Sequence, residues 1–137
     1  MKIHKIINLV AFENTYILEN DQGLLVVDPG SDWKKIERKL EELAKPVIAI
    51  LLTHTHYDHI MSLEKVREHY AAPPVYVAES ESSWLYTPTD NLSGLARHAD
   101  MDDIICRPAE EFFSYETDND LGGFHFYALA TPCLLYT

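Results

Sequence analysis

Alternating apolar positions and turn residues divide the start of the chain into short strands. Residues 3–7 and 14–18 are rich in β-forming side chains, and an Asn-Asp-Gln-Gly turn at 20–23 leads into the apolar residues 24–27. An Asp-Pro-Gly sequence at 28–30 ends the third strand, because proline cannot extend a strand ladder. The pattern predicts three strands, the last two joined as a hairpin.

Helical spacing and an unbroken apolar run predict the elements that follow. Apolar side chains between Trp33 and Leu43 recur at intervals of three and four residues, which is typical of an amphipathic helix. Residues 47–52 are continuously apolar, as in the parallel part of a sheet sandwiched between helices. A second helix is predicted over 60–70 and a further strand over 75–77.

The second half of the chain has a weaker pattern. Residues 79–108 lack clear periodicity apart from a short helix around Trp84, and a loop of that length is usually functional or lid-like. Strands are predicted at 112–113 and over the alternating residues 124–130, with a hairpin turn at 118–120. Without an internal repeat or a linker, the pattern indicates a single α/β domain.

The composition is that of an ordinary globular protein. Of 137 residues, 47% are hydrophobic and 24% charged, which excludes a disordered or collagen-like chain and allows one domain with its own core. Asp and Glu number 22 against 11 Lys and Arg, a formal net charge of −11. Because nucleic acids and anionic membranes bind positively charged surfaces, neither is expected as a partner.

Nothing in the sequence marks export or membrane insertion. The N-terminus has no apolar core of signal-peptide length, and no stretch approaches the ~18 apolar residues that span a bilayer. Cys106 and Cys133 are too few for a disulfide framework, and Cys106 is interpreted as a small buried apolar residue. A cytoplasmic location is therefore expected.

One segment concentrates side chains that bind metals. Residues 53–59 read Thr-His-Thr-His-Tyr-Asp-His and directly follow the most buried predicted strand, where ligands collect in open α/β sheets. His54 and His56 share a face while the chain is extended, and Asp58 and His59 follow as it turns into the helix. Imidazole nitrogen and carboxylate oxygen suit zinc, so the loop offers two adjacent half-sites.

A structural role is the alternative for any single histidine. Four clustered polar groups, however, would each need a partner if buried and would have no apolar reason to cluster if exposed. Metal binding is therefore the better interpretation of this loop. The remaining histidines are interpreted as structural or surface residues: His4, His69, His98 and His125. Residues 84–86, Trp-Leu-Tyr, either wall a substrate pocket or belong to local core.

Three motifs give the chain a resemblance to a known family. Residues 54–59, His-x-His-x-Asp-His after an apolar strand, resemble the signature of the metallo-β-lactamase-fold hydrolases. Residues 26–30, Val-Val-Asp-Pro-Gly, resemble a second motif, and residues 129–132, Leu-Ala-Thr-Pro, resemble the start of the family's Thr-Pro-Gly-His motif. An Asn-Leu-Ser sequence at 91–93 is similar to a loop of the glyoxalase II-like branch.

The resemblance implies a role for each residue of these motifs. His54 and His56 would bind a first zinc ion, and Asp58 and His59 a second. Asp58 would also act in catalysis, by orienting the attacking water or carrying a proton. Asp28 would accept hydrogen bonds that orient the ligands, or would only form the turn before proline. Histidine at 56, where diiron flavoprotein relatives carry a glutamate, favours zinc hydrolysis over oxygen chemistry.

The same resemblance implies a fold and a reaction. Residues 1–132 would form the N-terminal half of a truncated αβ/βα sandwich, a mixed sheet with flanking helices. The parent protein would hydrolyse a small acyl ester or thioester through two zinc ions, with a hydroxyacylglutathione-type substrate as the leading candidate. The alternatives are a metal-dependent phosphodiesterase of the same fold and a non-catalytic metal-binding domain.

The sequence departs from the family pattern in two places. Met-Ser stands at 61–62, where the family commonly has two glycines, and Cys133 follows Thr-Pro where the family has Gly-His. Residues 133–137 resemble one reading frame of a transposon-end sequencing adapter and are expected to be non-native. The chain as given is then expected to be an inactive fragment; the alternative is a short natural variant with Cys133 as a zinc ligand.

Overall fold

A six-stranded mixed sheet lies at the centre of the structure, a computed structural model that describes residues 1–95 and 101–130. The strands follow one another in spatial as in chain order: β1 (Lys2–Ile7), β2 (Asn14–Glu19), β3 (Leu24–Val27), β4 (Val47–Leu51), β5 (Val75–Ala78) and β6 (Glu111–Phe113). The first three strands pair antiparallel and the last four pair parallel. The predicted α/β architecture with a mixed sheet is confirmed.

Helices cover one face of this sheet. Four α-helices and two 3-10 helices lie among the described residues: α1 (Trp33–Leu43), α2 (Tyr57–Ile60), α3 (Leu63–His69), α4 (Pro88–Asn91), Val10–Phe12 and Glu79–Tyr86. Ile36 and Leu40 of α1 and Val66 of α3 pack on Val26 and Ile50 of the sheet in one buried cluster. In the part of the chain that the structure describes, no helix is long and apolar enough to cross a membrane.

The opposite face is covered by a hairpin, so the prediction of a sheet between two helical layers is wrong there. Strands β7 (Asp118–Leu121) and β8 (Phe124–Tyr127) pair antiparallel in a separate sheet. Leu121 and Phe124 pack on Leu25 in a second buried cluster. The continuous apolar run 47–52 serves both clusters, because from Ala49 to Leu52 successive residues face opposite layers.

Two predicted elements have different bounds in the structure. The helix predicted over 60–70 is divided into α2 and α3, because the Ser62 hydroxyl and amide donate to the carbonyls of Gly30 and Pro29. The turn predicted at 118–120 is wrong: these residues belong to β7. The chain turns instead at Gly122 and Gly123, whose φ angles of 55° and 87° favour glycine.

The weakly patterned segment after β5 is held in place by buried polar side chains. Asn91 donates to the carbonyls of Trp84 and Ile104, at 2.8 and 2.9 Å. Arg67 of α3 is 4% exposed and donates to the carbonyls of residues 107–108. Cys106 packs in the main core, as predicted, and burial raises the pKa of its thiol to about 12. The described parts of this segment, which include the cavity-lining residues Glu81 and Trp84, are therefore anchored to the rest of the fold.

Truncation of a buried leucine tests the packing of α1 on the central sheet. Leu40→Ala removes a side chain that is 1% exposed between α1 and the sheet, and should lower the free energy of unfolding by about 2–5 kcal/mol. Leu9→Ala is the matched control, since Leu9 is 76% exposed and its truncation should change the free energy by less than about 0.5 kcal/mol. Urea denaturation followed by circular dichroism measures both. Equal losses in the two variants would contradict the packing described here.

Candidate metal centre

The predicted ligands lie where two parallel strands end. His54, His56, Asp58 and His59 follow β4, and Asp28 follows the neighbouring strand β3. Carboxyl ends of parallel strands meet at the same edge of a sheet, and ligand sites form there. The two loops therefore meet at one place, although they are separated along the chain by α1.

Asp28 joins the two loops. Its backbone has a φ of 53°, in the left-handed region, and its amide donates to the carbonyl of Leu51 at 3.0 Å. Its carboxylate accepts hydrogen bonds from the amide and the hydroxyl of Thr53, the amide at 2.7 Å. The Thr15 hydroxyl donates to the Asp28 carbonyl at 2.7 Å. Asp28 thus fixes the start of the histidine loop. A residue that only formed the turn before Pro29 would not make these contacts.

The structure brings the four predicted ligands together. The rings of His54 and His56 are near parallel with centroids 6.0 Å apart, and the edge of His59 faces His54 at 5.4 Å. The Asp58 Oδ2 atom lies 3.5 Å from His59 Nε2. All four side chains thus share one cluster, although binding of a metal by them stays a prediction.

His54 is flanked by a carboxylate that the sequence pattern did not indicate. Glu81 Oε2 lies 3.9 Å from His54 Nδ1, while Glu81 Oε1 accepts from the Thr55 amide at 3.1 Å. The Glu81 carboxylate raises the pKa of His54. Burial would raise the pKa of Glu81, but His54 and Thr55 outweigh it and lower that pKa. Glu81 follows β5 in the segment without periodicity, and only the folded chain places it here.

His56 is held by an aromatic ring. Trp84 stacks on its imidazole with a centroid distance of 5.4 Å and an angle of 13° between the planes. Burial lowers the pKa of His56, so its imidazole favours the neutral form that binds metals. Of the two interpretations of residues 84–86, the structure thus places Trp84 at the site and Leu85 in the core.

His59 faces two carboxylates through Nδ1. Asp28 Oδ2 lies 3.0 Å from that nitrogen and Glu13 Oε1 lies 4.0 Å from it. Burial alone would lower the pKa of His59, but Asp28, Asp58 and Glu13 raise it to about 9. Burial and the Asp28 charge raise the pKa of Glu13 to about 8. No sequence motif singled out Glu13, because it stands between two strands without a recognisable spacing to the histidines.

The donor set of the site fits zinc. Three imidazole rings and one carboxylate lie close together in this loop, and imidazole nitrogen with carboxylate oxygen is a usual ligand combination for this ion. Among the described residues, the three donor atoms that lie within 4.8 Å of one another belong to Glu13, Asp28 and His59, whereas no three of the four predicted ligands bring donor atoms together this closely. A cation would balance the carboxylates that surround these rings.

A cavity of about 520 Å³ opens beside the histidines. His54, His56 and Glu81 line one side, and aromatic rings of Trp84 and Phe113 line the rest together with β8. No lysine or arginine lines it among the described residues. The cavity therefore combines a polar, metal-binding edge with apolar walls, as small-molecule sites do.

The remaining predicted positions lie outside this cluster. His4 pairs with Glu19 at 3.0 Å on β1, while His69 and His125 are exposed. These three agree with the structural or surface roles predicted for them. His98, the Thr-Pro pair at 131–132 and the tail 133–137 lie outside the described residues.

Comparison with known proteins identifies a matching family. A family model described as the metallo-beta-lactamase superfamily matches residues 9–132. A solved structure, the B3 metallo-beta-lactamase BLEG-1, superposes with a TM-score of 0.79 at 30% identity, over 92% of this chain and 59% of that one. The fold predicted from the motifs is confirmed by both findings.

Curated relatives include named hydrolases. A probable metallo-hydrolase of Streptococcus pyogenes serotype M6 is 54% identical over 132 residues, which cover 96% of this chain and 57% of the relative. The hydroxyacylglutathione hydrolase GloC of Haemophilus influenzae is 24% identical over 131 residues, which cover 93% and 60%. The predicted glyoxalase II-like relationship is thus a distant one. The chain spans less than two thirds of the length of these relatives.

Zinc binding at this site should strengthen as the pH rises. The pKa of about 9 means that His59 is protonated at pH 7, so a metal ion that binds it must displace a proton. Between pH 6 and 8 the apparent affinity for Zn²⁺ should rise about tenfold per pH unit for each proton displaced. Competition against a chromophoric chelator of known pH dependence measures this slope.

His125→Gln is the control for this slope, because His125 is exposed and outside the cluster. This variant should show the same slope as the wild type. A zinc affinity that is constant from pH 6 to 8 would show that no protonated histidine is displaced, and would contradict the assignment of His59 as a ligand.

Proposed function

The chain belongs to the metallo-beta-lactamase superfamily, and on that premise we propose that it carries part of the active site of a zinc-dependent hydrolase acting on a small ester or thioester. One observation supports this most: the rings of His54, His56 and His59 and the Asp58 carboxylate lie close together, and His54 and His56 line a cavity with apolar walls. Zinc bound at such a set supplies a hydroxide near neutral pH and polarises the carbonyl that is attacked.

The ligand side chains are proposed to form two adjacent half-sites. His54 and His56 would hold one ion and Asp58 and His59 the other, a division supported by the near-parallel rings of His54 and His56 and by the 3.5 Å approach of Asp58 to His59. Asp58 Oδ2 would also accept a hydrogen bond from the attacking water and hold its proton. Glu81 and Trp84 would keep the first two rings in place, since each contacts one of them.

The cavity is proposed to receive the acyl group. Its aromatic walls suit an apolar or weakly polar chain, and they would exclude water from the carbonyl at the histidine edge. The net charge of −11 supports a small-molecule substrate over a nucleic acid. The distant relative named as a hydroxyacylglutathione hydrolase supports a thioester as the first substrate to test.

A substrate panel with a site variant tests this function. The full-length gene product that contains this chain should hydrolyse thioesters, lose activity to a chelator and regain it with zinc. Asp58→Ala should lower kcat/KM by at least about 100-fold and leave the fold intact, because Asp58 is partly exposed in the short helix α2. Asp21→Ala, which removes an exposed carboxylate from the turn after β2, should retain full activity.

Other outcomes of the panel point to other functions. Turnover of phosphodiesters or β-lactams in place of thioesters would replace the proposed substrate class but retain the metal site. Zinc binding without turnover of any substrate would favour a non-catalytic metal-binding domain. Full activity of Asp58→Ala would contradict the role proposed for this residue.

A further inference from the structure

We propose that Glu13 is a positioning residue for His59, and that it helps to hold this imidazole with Nε2 toward Asp58. The inference rests on the proposed function, because it assigns His59 to a metal site. Glu13 stands between β1 and β2, far along the chain from the histidine loop. Nothing in the sequence motifs assigns it a role.

Two buried atoms without hydrogen-bond partners point to this role. Glu13 is 5% exposed and its Oε1 has no hydrogen-bond partner among the described residues. His59 Nδ1 is likewise buried without a hydrogen-bond partner there, and lies 4.0 Å from that oxygen. A buried acceptor without a partner is costly, and the imidazole N–H is the donor beside it. The Glu13 carboxylate could therefore accept the hydrogen bond that His59 Nδ1 has to donate.

The fold gives Glu13 a fixed position. Asn8 is fully buried, and its amide nitrogen donates to Glu13 Oε2 at 3.0 Å and to the Glu13 carbonyl at 3.1 Å. Gly30 lies against both side chains, and a Cβ atom there would collide with Glu13 Oε2 and with the Asn8 amide. The glycine of the Asp-Pro-Gly motif thus leaves room for Glu13. One carboxylate oxygen is anchored and the other is left facing His59.

Asp28 alone does not provide a hydrogen-bond partner for His59 Nδ1. Its Oδ2 approaches His59 Nδ1 at 3.0 Å but without the alignment of a hydrogen bond, and the same oxygen accepts from the Thr53 hydroxyl. Asp28 is therefore engaged in holding the start of the loop. A metal-bound histidine usually donates its second ring N–H to a carboxylate or carbonyl, which fixes the ring orientation. Glu13 supplies a carboxylate oxygen that no other described group occupies.

Zinc affinity of a charge-neutral variant tests the role. Glu13→Gln keeps the shape and the contact with Asn8, but it replaces a carboxyl group that a bound cation would help to ionise by an amide that cannot ionise. In the full-length gene product, the ion held by Asp58 and His59 should bind about 10–100-fold more weakly. The free energy of unfolding of the metal-free protein should not fall, because the variant no longer buries this carboxylate. Chelator competition and urea denaturation measure the two quantities.

The chain offers a matched control at the other end of β2. Glu19 also contacts a histidine, His4, at 3.0 Å, but it lies six residues from Glu13 along the strand, roughly 20 Å away. Glu19→Gln should leave both zinc affinities unchanged. A loss of affinity in Glu13→Gln but not in Glu19→Gln would support a specific action on His59.

Three results would overturn the proposal. Unchanged zinc affinities in Glu13→Gln would overturn this role and leave the proposed function standing. A third zinc ion in the wild type that is lost in Glu13→Gln would make Glu13 a ligand instead. A wild-type protein that binds no zinc would overturn the proposed function, and this role with it.

Discussion

The hydrogen bonds from Thr53 to the Asp28 carboxylate are the contacts on which the rest of the site depends. They join the loop after β3 to the loop after β4, at the edge where both parallel strands end. Hydrogen bonds to a buried charged group are worth about 1.5–3 kcal/mol each, enough to offset the left-handed backbone of Asp28. Because the histidine loop starts at Thr53, its direction is set by a residue of another strand.

From that starting point each histidine has a different partner. His54 faces Glu81, His56 stacks on Trp84, and His59 faces a pair of carboxylates. The carboxylates favour the charged form of two rings, whereas burial favours the neutral form of His56. A cation bound at these rings would face the same carboxylates, which would then stabilise the loaded site.

The sequence predicted the part of this site that lies in one loop. The helix and strand patterns around 33–52 were local signals that the structure confirms. The spacing of residues 54–59 was also a local signal, and metal binding by these residues stays a prediction. Contacts that depend on the folded chain were not predictable in this way. Glu13 and Glu81 belong to no sequence motif. The alternation of apolar and polar residues in the hairpin predicts a strand, but not which face of the sheet the strand covers. The break at Ser62 likewise depends on carbonyls from the Asp-Pro-Gly turn.

His54, His56, Asp58 and His59 are proposed to bind zinc ions at this edge of the sheet. Anomalous diffraction at the zinc absorption edge, from crystals of the full-length gene product grown with zinc, tests it most directly. We expect anomalous peaks at ~2.0–2.1 Å from nitrogens of all three histidines, with a carboxylate oxygen of Asp58 also bonded. Ordered, unliganded imidazoles with zinc bound elsewhere or absent would contradict it.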